Sequence, residues 1–183
     1  MIRFLLPLLV LAAPLAAQPS LVILVRHAER DTAPPRDPVL TAAGTARAKA
    51  LHQALAAAGV GSVITTQLQR TQLTAKPLAD SLKLTPIVVA ASSPVSAHAE
   101  AVAAAVRARP KGEVVLVVGH SNTIPAIIGA LGGPKFPDLC DNQYSMLYLL
   151  HYPGAGGAPH FVQSHYGAAD PAELAGCPRT MTR

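Results

Sequence analysis

The sequence contains no tryptophan, and aromatic residues make up only 4% of its 183 positions. A surface that stacks nucleobases needs aromatic faces, so no nucleic-acid partner is expected. Charge is also sparse, at 14%, and it forms no long run. The three cations that do cluster, Arg107, Arg109 and Lys111, fit the C-terminus of a helix, where positive charge suits the dipole. A formal net charge of +5 is mild and is compatible with a small anionic ligand. His-Glu-x-x-His and comparable metal-ligand spacings are missing, so neither a metal nor a cofactor is expected. No apolar run is long enough to span a bilayer. The longest, in "MIRFLLPLLVLAAPLAAQPS", is broken by Pro7 and Pro14 and falls short of the roughly 20 residues a spanning helix needs.

That segment has the layout of a secretory signal instead. Arg3 supplies a charged start, an apolar stretch follows, and small residues mark a cleavage site after Ala17. With no cysteine near the junction, a lipid anchor is not expected either. The reading is a signal peptide over 1–17 and a single domain over 18–183, exported to a periplasmic or extracellular location. Only Cys140 and Cys177 occur. In an oxidising compartment they are expected to pair, stapling the C-terminal tail to the segment before the last strands.

Apolar runs and breakers then alternate along the chain. "LVILVR" from Leu21 to Arg26 reads as a buried strand, and the prolines of "TAPPRDP" mark a loop. Helices are expected from Thr41 to Ala58, from Gln69 to Lys83 with Pro77 able to kink or divide it, from Ser96 to Arg109, and from Asn122 to Leu131. Strands are expected at Ser62–Thr66, Pro86–Val89 and Glu113–Val118. Four such alternations argue for an α/β fold, a three-layer sandwich around a mostly parallel central sheet. The end differs: "YSMLYLLHY" and "HFVQSHY" flank a glycine-rich link and read as a hairpin at the sheet edge.

In open α/β sheets, ligands bind beyond the carboxyl ends of the strands. Three of those ends carry cationic or ionisable side chains: Arg26 and His27, then Arg70 near a helix start, then His120 in "VVGHSN". Gathering these groups without an anion is unfavourable through mutual repulsion. A phosphoryl group is the natural occupant, because its oxygens match guanidinium forks bidentately. Amides at the helix start after Gly119 are expected to add donors. Histidines in such a cluster should have depressed pKa values while the site is empty, and a neutral imidazole is a nucleophile. Ser121 has no nucleophile elbow around it, which argues against a serine hydrolase. Of the other histidines, His52, His151, His160 and His165 are read as surface or edge residues. His98 is a candidate to line the pocket.

These residues resemble the motifs of the histidine phosphatase superfamily, also called phosphoglycerate-mutase-like. The Arg-His-Gly-Glu motif has its counterpart in "RHAE", Arg26 to Glu29. The Ser-x-x-x-Arg-x-x-x-Thr-Ala run corresponds to "TQLQRTQLTA", Thr66 to Ala75, and the Gly-His strand end to "VVGHSN". Ala28 replaces the usual glycine, and the asparagine common after the first motif is not evident at Arg30, Asp31 or Thr32. The resemblance implies a metal-independent phosphomonoester hydrolase. In it His27 is transiently phosphorylated, Arg26, Arg70 and His120 bind the phosphoryl group, and protonated His120 stabilises its charge. It implies Glu100 as general acid, with Asp141 and Glu29 as rivals. The expected partner is a small phosphorylated substrate outside the cytoplasm. Two alternatives stay open: a non-catalytic phospholigand-binding protein of the same fold, and a phosphomutase.

Overall fold

The computed structural model describes residues 18–154 and 157–171. The expected signal segment 1–17 and Cys177 lie outside the described residues. Ten elements follow one another: β1 (Leu21–Arg26), α1 (Ala42–Leu55), β2 (Val60–Thr65), α2 (Gln69–Leu82), β3 (Ile87–Val88), α3 (Val95–Arg107), β4 (Val114–Gly119), α4 (Thr123–Ala130), β5 (Met146–His151) and β6 (His160–His165). The sheet order is β3-β2-β4-β1-β5-β6. β3, β2, β4 and β1 run parallel, while β5 and β6 are antiparallel and close one edge as the expected hairpin. Among the described residues, no helix is long and apolar enough to cross a membrane.

The strands are apolar on both faces because both faces are covered. Val22, Leu24, Val115 and Val117 face a cluster built with Ala99, Val102, Val106, Ile124 and Ile128 of α3 and α4. Their alternates Ile23, Val25, Leu116 and Val118 face Leu51, Leu55, Ala75 and Leu78 of α1 and α2. That alternation makes three layers from one central sheet.

Element boundaries differ from the sequence reading in ways that have local causes. Thr41 is the N-cap of α1 and not its first residue; its hydroxyl accepts the Gly44 amide at 3.1 Å. β2 begins at Val60, because a register shift between Val60 and Ser62 lets pairing with β4 start earlier. Pro77 sits inside α2 without dividing it. β3 is only two residues long, at the sheet edge.

The pairing of β1 with β4 aligns the exits of two strands that are distant in sequence. The two lie side by side in register, Arg26 opposite Gly119, and the His27 amide donates to the Gly119 carbonyl at 2.9 Å. His27 and His120 therefore leave adjacent strands at the same level.

Candidate active site

The residues after β1, β2 and β4 meet in a cleft of about 530 Å³ whose lining includes Arg26, His27, Arg30, Arg70, His120 and Asp141. The sequence reading required four of these, Arg26, His27, Arg70 and His120, to share one rim, and the fold brings them together. The rings of His27 and His120 are edge to face, with centroids 5.4 Å apart.

His27 is almost wholly buried, and its Nδ1 lies 2.8 Å from the Ala28 carbonyl oxygen. A carbonyl can only accept, so Nδ1 carries the proton and Nε2 keeps its lone pair. Burial is the main reason its pKa falls, to about 3; Arg26, His120 and Arg70 lower it further, and the carbonyl bond opposes the shift. Depression by cationic neighbours was the expected mechanism; desolvation is the larger one. The Ala28 amide donates to Thr74 Oγ1 at 2.8 Å, and Thr74 Oγ1 donates to the Arg70 carbonyl at 2.6 Å. The second motif thereby grips the backbone of the first.

His120 is fixed through Nε2, 3.2 Å from Thr66 Oγ1, while its Nδ1 is buried without a hydrogen-bond partner. Its pKa is also lowered to about 3, by burial first and then by Arg70, His98 and Arg26. The His120 amide is not free to meet an anion: it donates to Thr123 Oγ1 at 2.8 Å. Ser121 and Asn122, the next two residues at this helix start, line the cleft.

Arg26 is buried and held from one side. Its Nη1 donates to the carbonyls of Cys140 at 2.7 Å, Asp141 at 3.2 Å and Gln143 at 3.1 Å. Its guanidinium carbon lies 4.1 Å from the centre of the Tyr144 ring, and Nη2 donates to the Tyr144 hydroxyl at 3.4 Å. Nε is buried and unpartnered, as is Nε of Arg70. Burial lowers the pKa of both arginines. With Nη1 shared among three carbonyls and Nη2 on the Tyr144 hydroxyl, Arg26 has a fixed orientation before any ligand arrives.

The carboxylates are placed otherwise than the resemblance implied. Glu100 is outside this cleft. It lies on the exposed side of α3, 3.9 Å from Arg107, and lines a neighbouring hollow with Lys135, Phe136 and Asp138. The helix phase explains it: the buried residues of α3 include Ala99, Val102, Ala103 and Val106, so position 100 faces outward. Glu29 is also turned away, bound by Arg47 Nε at 3.0 Å to each oxygen and by Nη2 at 2.7 Å. Asp141 does line the cleft, 3.8 Å from Arg26 Nη2, with its side chain exposed. His98 is buried on α3, bonded through Nδ1 to the Ala90 carbonyl at 3.1 Å, and is not among the lining residues. Among the described residues, no group of histidine, cysteine, aspartate or glutamate side chains is arranged to hold a metal ion. Cys140 is disulfide-bonded.

Sequence reasoning missed Tyr144, Asp170 and Arg47. Asp170 accepts the amides of Tyr144 at 2.8 Å and Ser145 at 2.9 Å, and the Ser145 hydroxyl at 2.8 Å. Arg47, besides holding Glu29, donates to the carbonyls of Tyr166 and Ala168. Together they tie residues 166–170 to α1 and to the segment that carries Tyr144.

Residues 22–92 match the family model of the histidine phosphatase superfamily (branch 1). No curated protein matches the chain. Among solved structures, a candidate phosphohistidine phosphatase, SixA, from Nakamurella multipartitia is similar at 24% identity with a TM-score of 0.58, over 85% of this chain and 100% of that one. The corresponding SixA from Agrobacterium tumefaciens is similar at 21% identity and a TM-score of 0.58, over 82% and 99%. A mycobacterial glucosyl-3-phosphoglycerate phosphatase, in complex with VO3, is similar at 17% identity and a TM-score of 0.60, over 82% and 100%. At these identities the likeness is one of fold.

Proposed function

We propose, on the match of residues 22–92 to the histidine phosphatase superfamily model and on a fold shared with solved phosphatases, that the chain is a member of that superfamily and a phosphatase working through a phosphohistidine at His27. One observation carries the reading: two neutral imidazoles 5.4 Å apart share a cleft with two arginines whose buried Nε atoms have no partner. A tetrahedral dianion can accept from the unpartnered arginine N–H groups while its phosphorus faces the His27 lone pair.

The chemistry follows from the tautomer. His27 Nε2 attacks phosphorus, the bond from phosphorus to the leaving group breaks, and the leaving group takes up a proton. Water then attacks the phosphorus of the phosphohistidine, the bond from phosphorus to Nε2 breaks with its electron pair returning to the ring, and inorganic phosphate leaves. Arg26 and Arg70 hold the phosphoryl oxygens, and positioning of this kind supplies much of what phosphoryl transfer needs. The anion raises the proton affinity of His120 from its depressed value, so His120 charges when it is required to stabilise the transferring group.

Asp141, and not Glu100, serves as proton source, because it is the carboxylate among the residues lining the cleft. At an exposed rim it suits substrates whose leaving groups need little help, such as activated phosphoesters or phosphoramidates. The chain's signal-like start supports a substrate outside the cytoplasm.

The purified protein should release phosphate from p-nitrophenyl phosphate at mildly acidic pH, and His27→Ala should lower the rate at least about a thousandfold. An acid-labile phosphoryl group should be trapped on the wild type. Phosphate binding with neither turnover nor a trapped intermediate would make the protein a binder instead.

A further inference from the structure

Arg30 is a third guanidinium lining the cleft, and the proposed reaction does not use it. Its backbone is firmly set. Arg30 pairs with Leu40 in an antiparallel bridge, the Asp31 amide donates to the Val39 carbonyl at 2.8 Å, and the Thr41 amide donates to the Glu29 carbonyl at 3.0 Å. Successive side chains on such a ribbon point to opposite sides. Glu29 goes one way, into the grip of Arg47, and Arg30 goes the other, into the cleft.

This arrangement leaves an excess of positive charge. A phosphate dianion is balanced by Arg26 and Arg70 alone, and His120 adds further positive charge when it protonates beside the anion. Arg30 makes no side-chain hydrogen bond or ion pair among the described residues, and its charge acts on both other arginines. Of the two carboxylates that flank it in sequence, Glu29 is held away by Arg47, and Asp31, exposed to solvent, accepts the Thr32 amide at 2.7 Å. Asp141 is solvated at the rim, and Asp37 is engaged with the Gln69 amide at 2.9 Å. The wall formed by Ser92, Ser93 and Ser121 is uncharged. A cleft of about 530 Å³ has room for much more than one phosphate.

We propose that Arg30 binds a second anionic group of the substrate, so that the preferred substrates are organic phosphates carrying another phosphate or a carboxylate close to the scissile phosphoryl group. The inference rests on the phosphoryl site proposed above and adds the substrate class. The second anion sits beside Arg30 while the scissile phosphoryl group lies between His27 and His120.

Isothermal titration of the full protein with inorganic phosphate, methylenediphosphonate and phosphonoacetate tests it, in the wild type and in Arg30→Gln. Wild type should bind at least one of the two-anion ligands more tightly than phosphate. Arg30→Gln should weaken that ligand about tenfold or more while changing phosphate affinity by less than about threefold. Arg30 is exposed, so the variant should keep its thermal midpoint. The diphosphonate arm alone responding identifies a second phosphate; the phosphonoacetate arm alone identifies a carboxylate. Equal losses for all three ligands, or no loss for either two-anion ligand, overturn the proposal. Failure of wild type to bind phosphate at all overturns the phosphoryl site itself and this inference with it.

Discussion

Tyr144 lays its ring 4.1 Å from the Arg26 guanidinium carbon and 6.2 Å from the His27 ring. A cation over an aromatic face in a desolvated setting contributes about 1–2 kcal/mol. Tyr144→Ala should therefore lower kcat/KM about tenfold. Tyr144→Phe keeps the ring and loses only the 3.4 Å contact to the hydroxyl, so it should lose less than about threefold. Steady-state kinetics on p-nitrophenyl phosphate separate the two variants, and equal losses would assign the role to the hydroxyl. Legibility at this scale follows sequence distance. Arg26, His27, Arg70 and His120 stood out because each follows a strand and sits in a short local pattern. Tyr144 meets Arg26 across 118 positions, and Asp170 meets Tyr144 across 26, so neither carried a local signal. Glu100 was misplaced for the opposite reason: its neighbourhood in sequence suited an acid, but the phase of α3 turns it to solvent.

The close approach of α1 to the exit of β1 depends on Gly44. A Cβ there would lie 2.1 Å from the Glu29 carbonyl oxygen, so either the helix or the Arg26–Glu29 turn must shift. Gly44→Ala should destabilise the protein by about 2–3 kcal/mol, read as a lower urea midpoint. Because Glu29 follows His27 by two residues, the same variant should lose activity under conditions where it remains folded. A fully stable, fully active variant would mean that the helix end yields without cost. At the level of elements the sequence was informative where glycine and proline punctuate it. Gly59, Pro110 and Gly132 stand just past the ends of α1, α3 and α4. It was less informative where tertiary pairing decides. The early start of β2 reflects an irregular register against β4, and the undivided α2 shows packing holding a helix together around Pro77.

For the molecule as a whole, both buried histidines couple folding to pH. Their ordinary value is 6.5 and the folded values are about 3. Between those limits the unfolded chain binds protons that the folded chain refuses, so stability rises with pH across that window. It should be complete above about pH 6.5 and fall on acidification toward pH 3, with a slope of at most about 1.4 kcal/mol per pH unit for each histidine. Thermal midpoints measured from pH 7 to pH 4 without ligand should fall. His120→Gln should make the decline shallower, and an unchanged slope would show that other groups dominate. The three-layer architecture itself was readable from the strand–helix alternation and the two-sided apolar strands. The sheet order was not, since nothing local says that β1 and β4 are neighbours.

That neighbourhood has a further consequence. β1 is bonded on one side to β4 and on the other to β5, so the line of attack from His27 is inherited from a ladder of amides that cannot fray at an edge. Arg30 and residues 91–93, which line the mouth, lie in connections outside that ladder. Mutation can reshape them, and with them the choice of what enters, without retuning the aim of the nucleophile: selectivity and reactivity are free to evolve on separate parts of the chain.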